Sequence, residues 1–182
     1  MTLNEYPAGM YGKPPPIRHI DLGRPCSIPS IAVTGNGNVA VAVRMKRKRT
    51  RFVIQEFPSK GSGKLEPTRV IELGSTSVSE LAGDTSGDIY ALIGSPSSPS
   101  GGSIVEYGPT GKRFRRLGIS GNVLGFALYA RQRIFAALAG PGGTTIAEVD
   151  GFKRGARFPS TRLKGKKTRF VGAFLIGVAA RQ

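Results

Sequence analysis

The feature that most constrains the fold is an internal repeat. Residues 5–23, EYPAGMYGKPPPIRHIDLG, align without a gap with residues 56–74, EFPSKGSGKLEPTRVIELG, and nine of the 19 positions are identical. Two degraded copies follow, IVEYGPTGKRFRRLG at 104–118 and IAEVDGFKRGARFPSTRL at 146–163. Periods in this range are typical of solenoids, propellers and other repeat arrays. The marker glutamates of the four copies are 51, 50 and 42 residues apart: Glu5, Glu56, Glu106 and Glu148.

A second repeated element lies between these copies. It reads SIAVTGNGNVAVAV at 30–43, ELAGDTSGDIYALI at 80–93 and FALYARQRIFAAL at 126–138. Each copy is an apolar run, a short polar turn and a second apolar run. Gly37-Asn38 and Gly87-Asp88 occupy two of the turns, where Gly and Asn or Asp reach positive φ readily. The pattern predicts hairpins of buried strands.

Together the two elements give a unit of four strands, which we name a, b, c and d. In the first complete unit they are expected at about 31–34, 38–43, 52–57 and 68–73. Complete units span about 28–73, 78–118 and 123–163. Four short strands per repeat at this period predict an all-β fold whose units are four-stranded antiparallel blades of a β-propeller. A helical solenoid is excluded because no apolar stripe with a 3.6-residue period appears.

The pattern resembles that of bacterial NHL-like repeat proteins, whose blades carry P-x-x-I-A-V-D-x-x-G-N-I-Y-V followed by V-x-x-F/Y-x-x-G. The resemblance covers nearly the whole chain. It implies blade architecture and says almost nothing about function, because propellers serve many roles. In the first complete unit the matching residues are Pro29, Ile31, Ala32, Val33, Gly37, Asn38, Val53 and Phe57; in the next they are Gly87, Asp88, Ile89, Tyr90, Val105 and Tyr107.

Strand counting predicts how the ring closes. Residues 2–6 and 16–22 supply only a c-d pair, and residues 169–180 supply only an a-b pair. Two plus two strands complete a fourth blade, built from 1–22 and 168–182, within a single domain that spans 1–182. Joining first and last strands in one blade removes open sheet edges. The alternative is a partial ring of a larger propeller, or a half-ring that pairs with a second copy. We expect a monomer if the ring closes and a homo-oligomer otherwise.

The charge of the chain points to acidic partners. Lys and Arg number 27 against 11 Asp and Glu, giving a net charge of +16. Such a surface favours nucleic acid, acidic glycan or an anionic surface, although a solvated basic surface without a specific partner explains the charge equally. Another protein is the alternative partner. We predict no transmembrane segment. No signal peptide is visible, so a cytoplasmic location is the default expectation, although the proteins that the chain resembles are often secreted.

Two basic runs are the candidate binding site. RMKRKRTR at 44–51 has six basic residues in eight and is expected in a b–c loop, whereas KGKKTR at 164–169 has four in six and is expected in a d–a loop. Both kinds of loop open on the same face of a propeller, so the runs are predicted to form one contiguous polyanion-binding surface. Its ten residues are Arg44, Lys46, Arg47, Lys48, Arg49, Arg51, Lys164, Lys166, Lys167 and Arg169.

No catalytic constellation emerges, and we predict neither catalytic residues, nor a metal site, nor a cofactor. The alternative is a divergent metal-dependent lactonase of the gluconolactonase type, which needs several oxygens converging on a hard cation. The segments expected to line the channel, 31–33, 81–83, 126–128 and 171–174, are apolar, and Glu80 is the one acid at the upper end of a channel strand. Asp84 and Asp88 share a turn, where capping of their own backbone is favoured over a Ca²⁺ site.

Two further groups of residues are assigned structural positions. His19, the only histidine, is expected on outer strand d, away from the channel. The arginines of strand d are expected to protect an exposed sheet edge: Arg18, Arg69, Arg116 and Arg162.

Overall fold

The computed structural model describes residues 1–9, 12–23, 27–46, 50–94, 102–118, 122–129, 133–140, 143–149 and 161–163. Every regular element in these ranges is a β-strand. Over the same ranges, none of the chain forms a helix with the length and hydropathy of a membrane span.

Fourteen strands are present in the described ranges, and they form one two-stranded and three four-stranded antiparallel sheets. The two-stranded sheet, β1-β2, is called the terminal sheet, and the other three are blades 1 (β3–β6), 2 (β7–β10) and 3 (β11–β14). The strands are β1 Thr2–Glu5, β2 Arg18–Asp21, β3 Ser27–Val33, β4 Val39–Lys46, β5 Thr50–Phe57, β6 Arg69–Gly74, β7 Val78–Gly83, β8 Ile89–Ile93, β9 Ser103–Tyr107, β10 Arg113–Gly118, β11 Asn122–Tyr129, β12 Arg133–Gly140, β13 Gly143–Val149 and β14 Thr161–Leu163.

Each blade is a simple meander in which neighbouring strands of the sheet are consecutive in sequence. The predicted all-β fold with four-stranded antiparallel units is confirmed, and strands a to d of blade 1 are β3 to β6. The architecture is of the propeller type. Residues 168–182, which are predicted to complete the terminal blade, lie outside the described residues.

Apolar clusters lie between successive sheets. Blade 1 contributes Ala40, Ala42 and Ile54 to the cluster that buries Leu81 and Ile89 of blade 2. Further clusters join blade 2 to blade 3 and the terminal sheet to blade 1. Alternation along each strand sends its apolar residues toward both neighbours, which is why blade strands are apolar on both faces. Small alanines on strands a and b allow the larger residues of the next blade to approach closely.

The a–b turns of blades 1 and 2 touch through a glycine. The backbone N–H of Gly35 donates to the carbonyl of Asp84 at 2.7 Å. A Cβ atom at position 35 would lie 2.3 Å from Cα of Thr85, closer than any side chain can approach. The absence of a side chain at Gly35 therefore sets the spacing of the two blades at this end.

A β-bulge recurs in strand a of every blade. The register shifts between Ser27 and Ser30 in β3, between Val78 and Glu80 in β7, and between Val123 and Gly125 in β11. The hydroxyl of Ser30 accepts a hydrogen bond from the backbone N–H of Leu81 in the next blade at 2.9 Å. The residue after each bulge is thereby aimed at the neighbouring strand a.

Candidate functional site

The described residues of the first basic run lie in strands rather than in a loop. Arg44, Met45 and Lys46 belong to β4, while Thr50 and Arg51 belong to β5. The two strands stay in register as far as the pair Lys46↔Thr50. The prediction of a b–c loop at 44–51 is therefore wrong in its boundaries, because alternating cross-strand pairing continues through the charged residues. Arg47, Lys48 and Arg49 lie outside the described residues.

Over the described residues, the pairing of hairpin β4-β5 continues beyond that of the strands that flank it. The last pair between β3 and β4 is Ser27↔Arg44, and the last between β5 and β6 is Phe52↔Gly74. The pairs Met45↔Arg51 and Lys46↔Thr50 lie further out than either. Edge strands rich in charge resist pairing with another sheet, so the extension is suited to a solvated position.

Arg44 and Arg51 project from opposite faces of this hairpin. Directly opposed residues share a face, so Arg44 lies with Phe52 and Arg51 lies with Met45. Both arginine side chains are exposed. On β4, Ala40 and Ala42 share the Arg44 face and pack against blade 2. Val41 and Val43 share the Arg51 face and pack against the terminal sheet. Positive charge is thus presented on two sides of a ribbon rather than on one flat surface.

The second basic run lies outside the described residues. Thr161–Leu163 of β14, which pairs with β13, ends immediately before Lys164. Lys164, Lys166, Lys167 and Arg169 therefore follow strand d of blade 3 in sequence, and their contiguity with the first run stays a prediction.

Exposed lysines on the opposite end of the blades were missed by the sequence reasoning. Three c–d loops, those of the terminal sheet, blade 1 and blade 2, share this end with the a–b turns. Each of these three carries a glycine with positive φ followed by a lysine: Gly12-Lys13, Gly63-Lys64 and Gly111-Lys112. All three lysines are exposed. The signal was visible, because the Gly-Lys pair is among the identical positions of the repeat.

Two of the strand-d arginines, Arg18 and Arg69, do not protect an exposed edge, and that interpretation is wrong for them. Arg18 is only 8% exposed. Its guanidinium lies against the c–d loop of blade 1, where it donates to the carbonyls of Gly61 at 2.7 Å and Ser59 at 3.1 Å, and to that of Pro58. An arginine that satisfies several carbonyls of the next blade ties the two sheets together.

Arg69 makes the same connection between blades 1 and 2. Its Nε lies 2.9 Å from Oε2 of Glu56, and both side chains are 6% exposed. Its two terminal nitrogens donate to the carbonyls of Gly108 at 2.5 Å and Gly87 at 3.0 Å, in the c–d and a–b turns of blade 2. The marker glutamates Glu56 and Glu106 are both buried.

The alignment of strand d slips in the later copies. Glu5 and Glu56 stand opposite Arg18 and Arg69, but Glu106 stands opposite Arg115. In blade 3 the residue opposite Glu148 is Thr161. Arg116 and Arg162 are therefore not equivalent to Arg18 and Arg69, and Arg116 is exposed.

Glu80 is held in a structural position. Its Oε2 accepts a hydrogen bond from the backbone N–H of Phe126 at 2.8 Å, which repeats the tie that Ser30 makes between blades 1 and 2. Burial raises the pKa of the Glu80 carboxyl, and the hydrogen bond from Phe126 opposes that shift. At the matching position of blade 3, Gly125 has no side chain to continue the series.

The Asp84 carboxylate caps its own turn, as the turn-capping interpretation predicted. Its Oδ1 accepts from the backbone N–H groups of Ser86 and Asp88 at 2.9 Å each, and Oδ2 accepts from the Tyr90 hydroxyl at 3.2 Å. Within the described part of the chain, no three His, Cys, Asp or Glu residues are arranged to hold a metal ion.

Two buried acidic side chains of blade 2, Asp88 and Glu106, lie close to Asp84. Glu106 is 2% exposed, and its Oε2 has no hydrogen bond and lies 3.8 Å from Nε of Arg115. Burial raises the pKa of Glu106, Arg115 opposes the shift, and the charges of Asp88 and Asp84 add to it. The pKa of Asp88 is likewise raised, first by burial and then by Asp84.

His19 lies on β2, as predicted, and is exposed. Its carbonyl accepts a hydrogen bond from the N–H of Gly63 at 2.9 Å.

The fold and the site define a propeller-type protein with a charged hairpin at one end of its blades. No family model and no curated protein matches the chain. Among solved structures, it is similar to a protein of unknown function from Bacteroides caccae, with 11% identity over 81% of this chain and 64% of that one and a TM-score of 0.44.

Two further solved structures are similar at the same level. Sqt1 of Chaetomium thermophilum shares 13% identity over 85% of this chain and 53% of its own, with a TM-score of 0.47. The PQQ-bound aldose sugar dehydrogenase of Streptomyces coelicolor shares 18% identity over 80% of this chain and 58% of its own, with a TM-score of 0.47. The chain thus spans less than two thirds of each of the three.

Proposed function

We propose that the protein is a non-catalytic binding propeller of the NHL-like kind, and that the end of its blades bearing the hairpin β4-β5 binds polyanions. The observation that supports this most is the shape of the basic run. In the described residues, the pairing of β4 with β5 continues past the last pairs with the neighbouring strands. Arg51 is exposed in that extension, and Arg44 is exposed on the opposite face, at the last pair with β3.

The proposed ligand is a polyanion that presents a row of phosphate or sulfate groups. Each arginine offers a planar fork of donors that matches an anionic oxygen pair. Each phosphate neutralised releases condensed counterions, so binding of this kind weakens steeply as salt rises. Contacts to a charged backbone carry no sequence information. Phe52, half-buried beside Arg44, is the one aromatic side chain described next to these arginines, so we propose attraction to the backbone rather than stacking on bases.

The non-catalytic part of the proposal is supported by the way the acidic side chains are engaged. Glu80 accepts from the backbone of blade 3, Asp84 caps its turn, and Glu56 is paired with Arg69 inside the interface of blades 1 and 2. A carboxylate that fulfils a structural hydrogen bond is poorly available as a general base or ligand. Among the residues that the structure describes, no observation favours the divergent lactonase.

The test compares two variants with the same change of net charge. In the first, Lys46, Arg47, Lys48 and Arg49 are replaced by Ser. In the matched control, the four replacements fall on exposed lysines of the c–d loops at the other end of the blades: Lys13, Lys60, Lys64 and Lys112.

Retention on immobilised heparin and on double-stranded DNA is then measured across a salt series. We expect the hairpin variant to elute at clearly lower salt than the control, because local charge density governs the number of counterions released. Equal losses in both variants would show that net charge alone drives retention, and unchanged retention of the hairpin variant would show a solvated hairpin without a partner.

A further inference from the structure

The c–d loop of the terminal sheet exposes a run of apolar residues. Pro15, Pro16 and Ile17 are all exposed, and 61% of the surface of Ile17 is accessible to solvent. Lys13, which precedes the prolines, is exposed as well, and Pro14 is half-buried. Single exposed apolar residues are ordinary, but a contiguous exposed apolar run is typical of an interaction site.

The repeat shows that this apolar surface is not needed to build the loop. Residues 12–18, GKPPPIR, align without a gap with residues 63–69 of blade 1, GKLEPTR. Glu66 and Thr68 occupy the positions where the terminal loop has its second proline and its isoleucine, and both are exposed. Blade 1 packs against a sheet on either side, so these positions face solvent even in a blade with both neighbours. The terminal loop thus presents apolar side chains at two positions that are polar in blade 1.

The three prolines restrict the conformation of the run. Each proline ring holds φ at about −65°. Lys13, Pro14 and Pro15 each precede a proline, which disfavours the helical region for them. These restrictions favour one turn of a left-handed polyproline II helix over residues 14–16, which form neither strand nor turn in the structure. In the described part of the chain no hydrogen bond engages the carbonyls of residues 13–16, so these carbonyls are open to donors from outside.

Both ends of the run are held by the fold. Gly12 precedes it with a positive φ of 88°. At the other end the backbone N–H of Ile17 donates to the carbonyl of Glu5 at 2.9 Å, and the next residue, Arg18, is buried against blade 1. A segment that is already ordered loses little conformational entropy when a partner binds it.

We propose that residues 13–17 are a docking segment for a partner protein that recognises polyproline II in a groove lined by aromatic side chains. The proline rings pack between the aromatic rings of such a groove, and tyrosine or tryptophan side chains donate to the open carbonyls. Lys13 is complementary to an acidic side chain beside the groove. The segment lies at the end of the blades opposite the hairpin β4-β5, so the proposal stands without polyanion binding.

The test uses the full chain, which has no tryptophan, so the fluorescence of a tryptophan in the groove of a partner reports binding. Isolated SH3, WW and EVH1 domains, whose grooves are lined by aromatic residues, are the probes. In the first variant Pro14→Leu is combined with Pro15→Glu, which gives the loop the residues of its blade 1 counterpart. Ile17→Thr is the second variant. Lys64→Gln is the matched control, because it changes the net charge by the same amount as the first variant and lies in the equivalent loop of blade 1, where Lys64 is exposed.

We expect at least one of the three domains to bind the parent chain. The first variant should bind that domain at least about tenfold more weakly, because the preformed helix is lost. Ile17→Thr should also weaken binding, and the control should bind like the parent. Thermal melting checks the fold of each variant, and if the first variant melts below the parent, Ile17→Thr alone decides. Failure of all three domains to bind, binding that both loop variants leave unchanged, or an equal loss in Lys64→Gln would overturn the proposal.

Discussion

The inter-blade position of Arg69 makes its replacement the most informative test of the architecture. In Arg69→Ala, the 2.9 Å ion pair with Glu56 is lost, and so are the donors to the carbonyls of Gly108 and Gly87. Glu56 is left buried without its cation. Breaking one side of a buried ion pair costs about 3–5 kcal/mol, most of it for the charge left behind. That is a large share of the roughly 5–15 kcal/mol by which a domain is stable.

The assay is reversible denaturant unfolding, with Arg116→Ala as the matched control because Arg116 is exposed on the neighbouring blade's strand d. The control should change the unfolding free energy by less than about 0.5 kcal/mol. In the double variant Glu56→Gln with Arg69→Met, much of the loss should be recovered, since neither residue then buries a charge. If Arg69→Ala cost no more than Arg116→Ala, the account of strand-d arginines as ties between blades would be refuted.

Three further predictions follow from the same interfaces. The folded-state pKa of Glu106 is raised by burial, so the stability that this group contributes is present at low pH and is lost as pH rises through the raised pKa. Glu106→Gln should therefore raise the melting temperature near neutral pH more than in acid, and an equal effect in thermal scans at all pH values would contradict this. Gly35→Ala places a Cβ 2.3 Å from Thr85 Cα, and calorimetry should show a loss of about 1–3 kcal/mol from overpacking. Glu80→Ala should cost about 1–3 kcal/mol by leaving the Phe126 N–H unpaired, while Glu80→Gln should cost less; esterase or lactonase activity abolished by Glu80→Gln would contradict the non-catalytic proposal.

Much of the fold was predictable because the repeat supplies its own alignment. The strands of blade 1 were located to within a few residues, since turn glycines and alternating apolar residues fix both ends of a hairpin. The polar composition of the first basic run predicts a loop. In the structure, the strand pairing continues as far as Lys46↔Thr50. A run of like charges gives no sequence signal for this pairing, because it lacks the alternation of apolar and polar residues.

The arginine ties were not predictable in the same way. Arg69 can be buried because backbone carbonyls of blade 2 accept hydrogen bonds from its guanidinium. Every residue has a backbone carbonyl, so the sequence does not indicate which ones will face an arginine. An alignment by residue type selects Arg116 instead of Arg115, because the spacing from the glutamate differs between the two blades. The glutamate and its opposing arginine are 13 residues apart in blade 1, from 56 to 69, but nine apart in blade 2, from 106 to 115. The shorter c–d loop of blade 2 places Arg115 opposite the glutamate, whereas the alignment by residue type selects the next residue, Arg116.

The salt dependence of polyanion binding tests the proposed function most directly. Equilibrium affinity for double-stranded DNA is titrated over a range of salt concentrations for the parent, the hairpin variant and the c–d loop control. The slope of log affinity against log salt falls by about 0.9 for each phosphate contact removed. We predict a shallower slope for the hairpin variant and a nearly parental slope for the control. Parallel slopes for the parent and the hairpin variant would contradict the assignment of polyanion binding to this end of the blades.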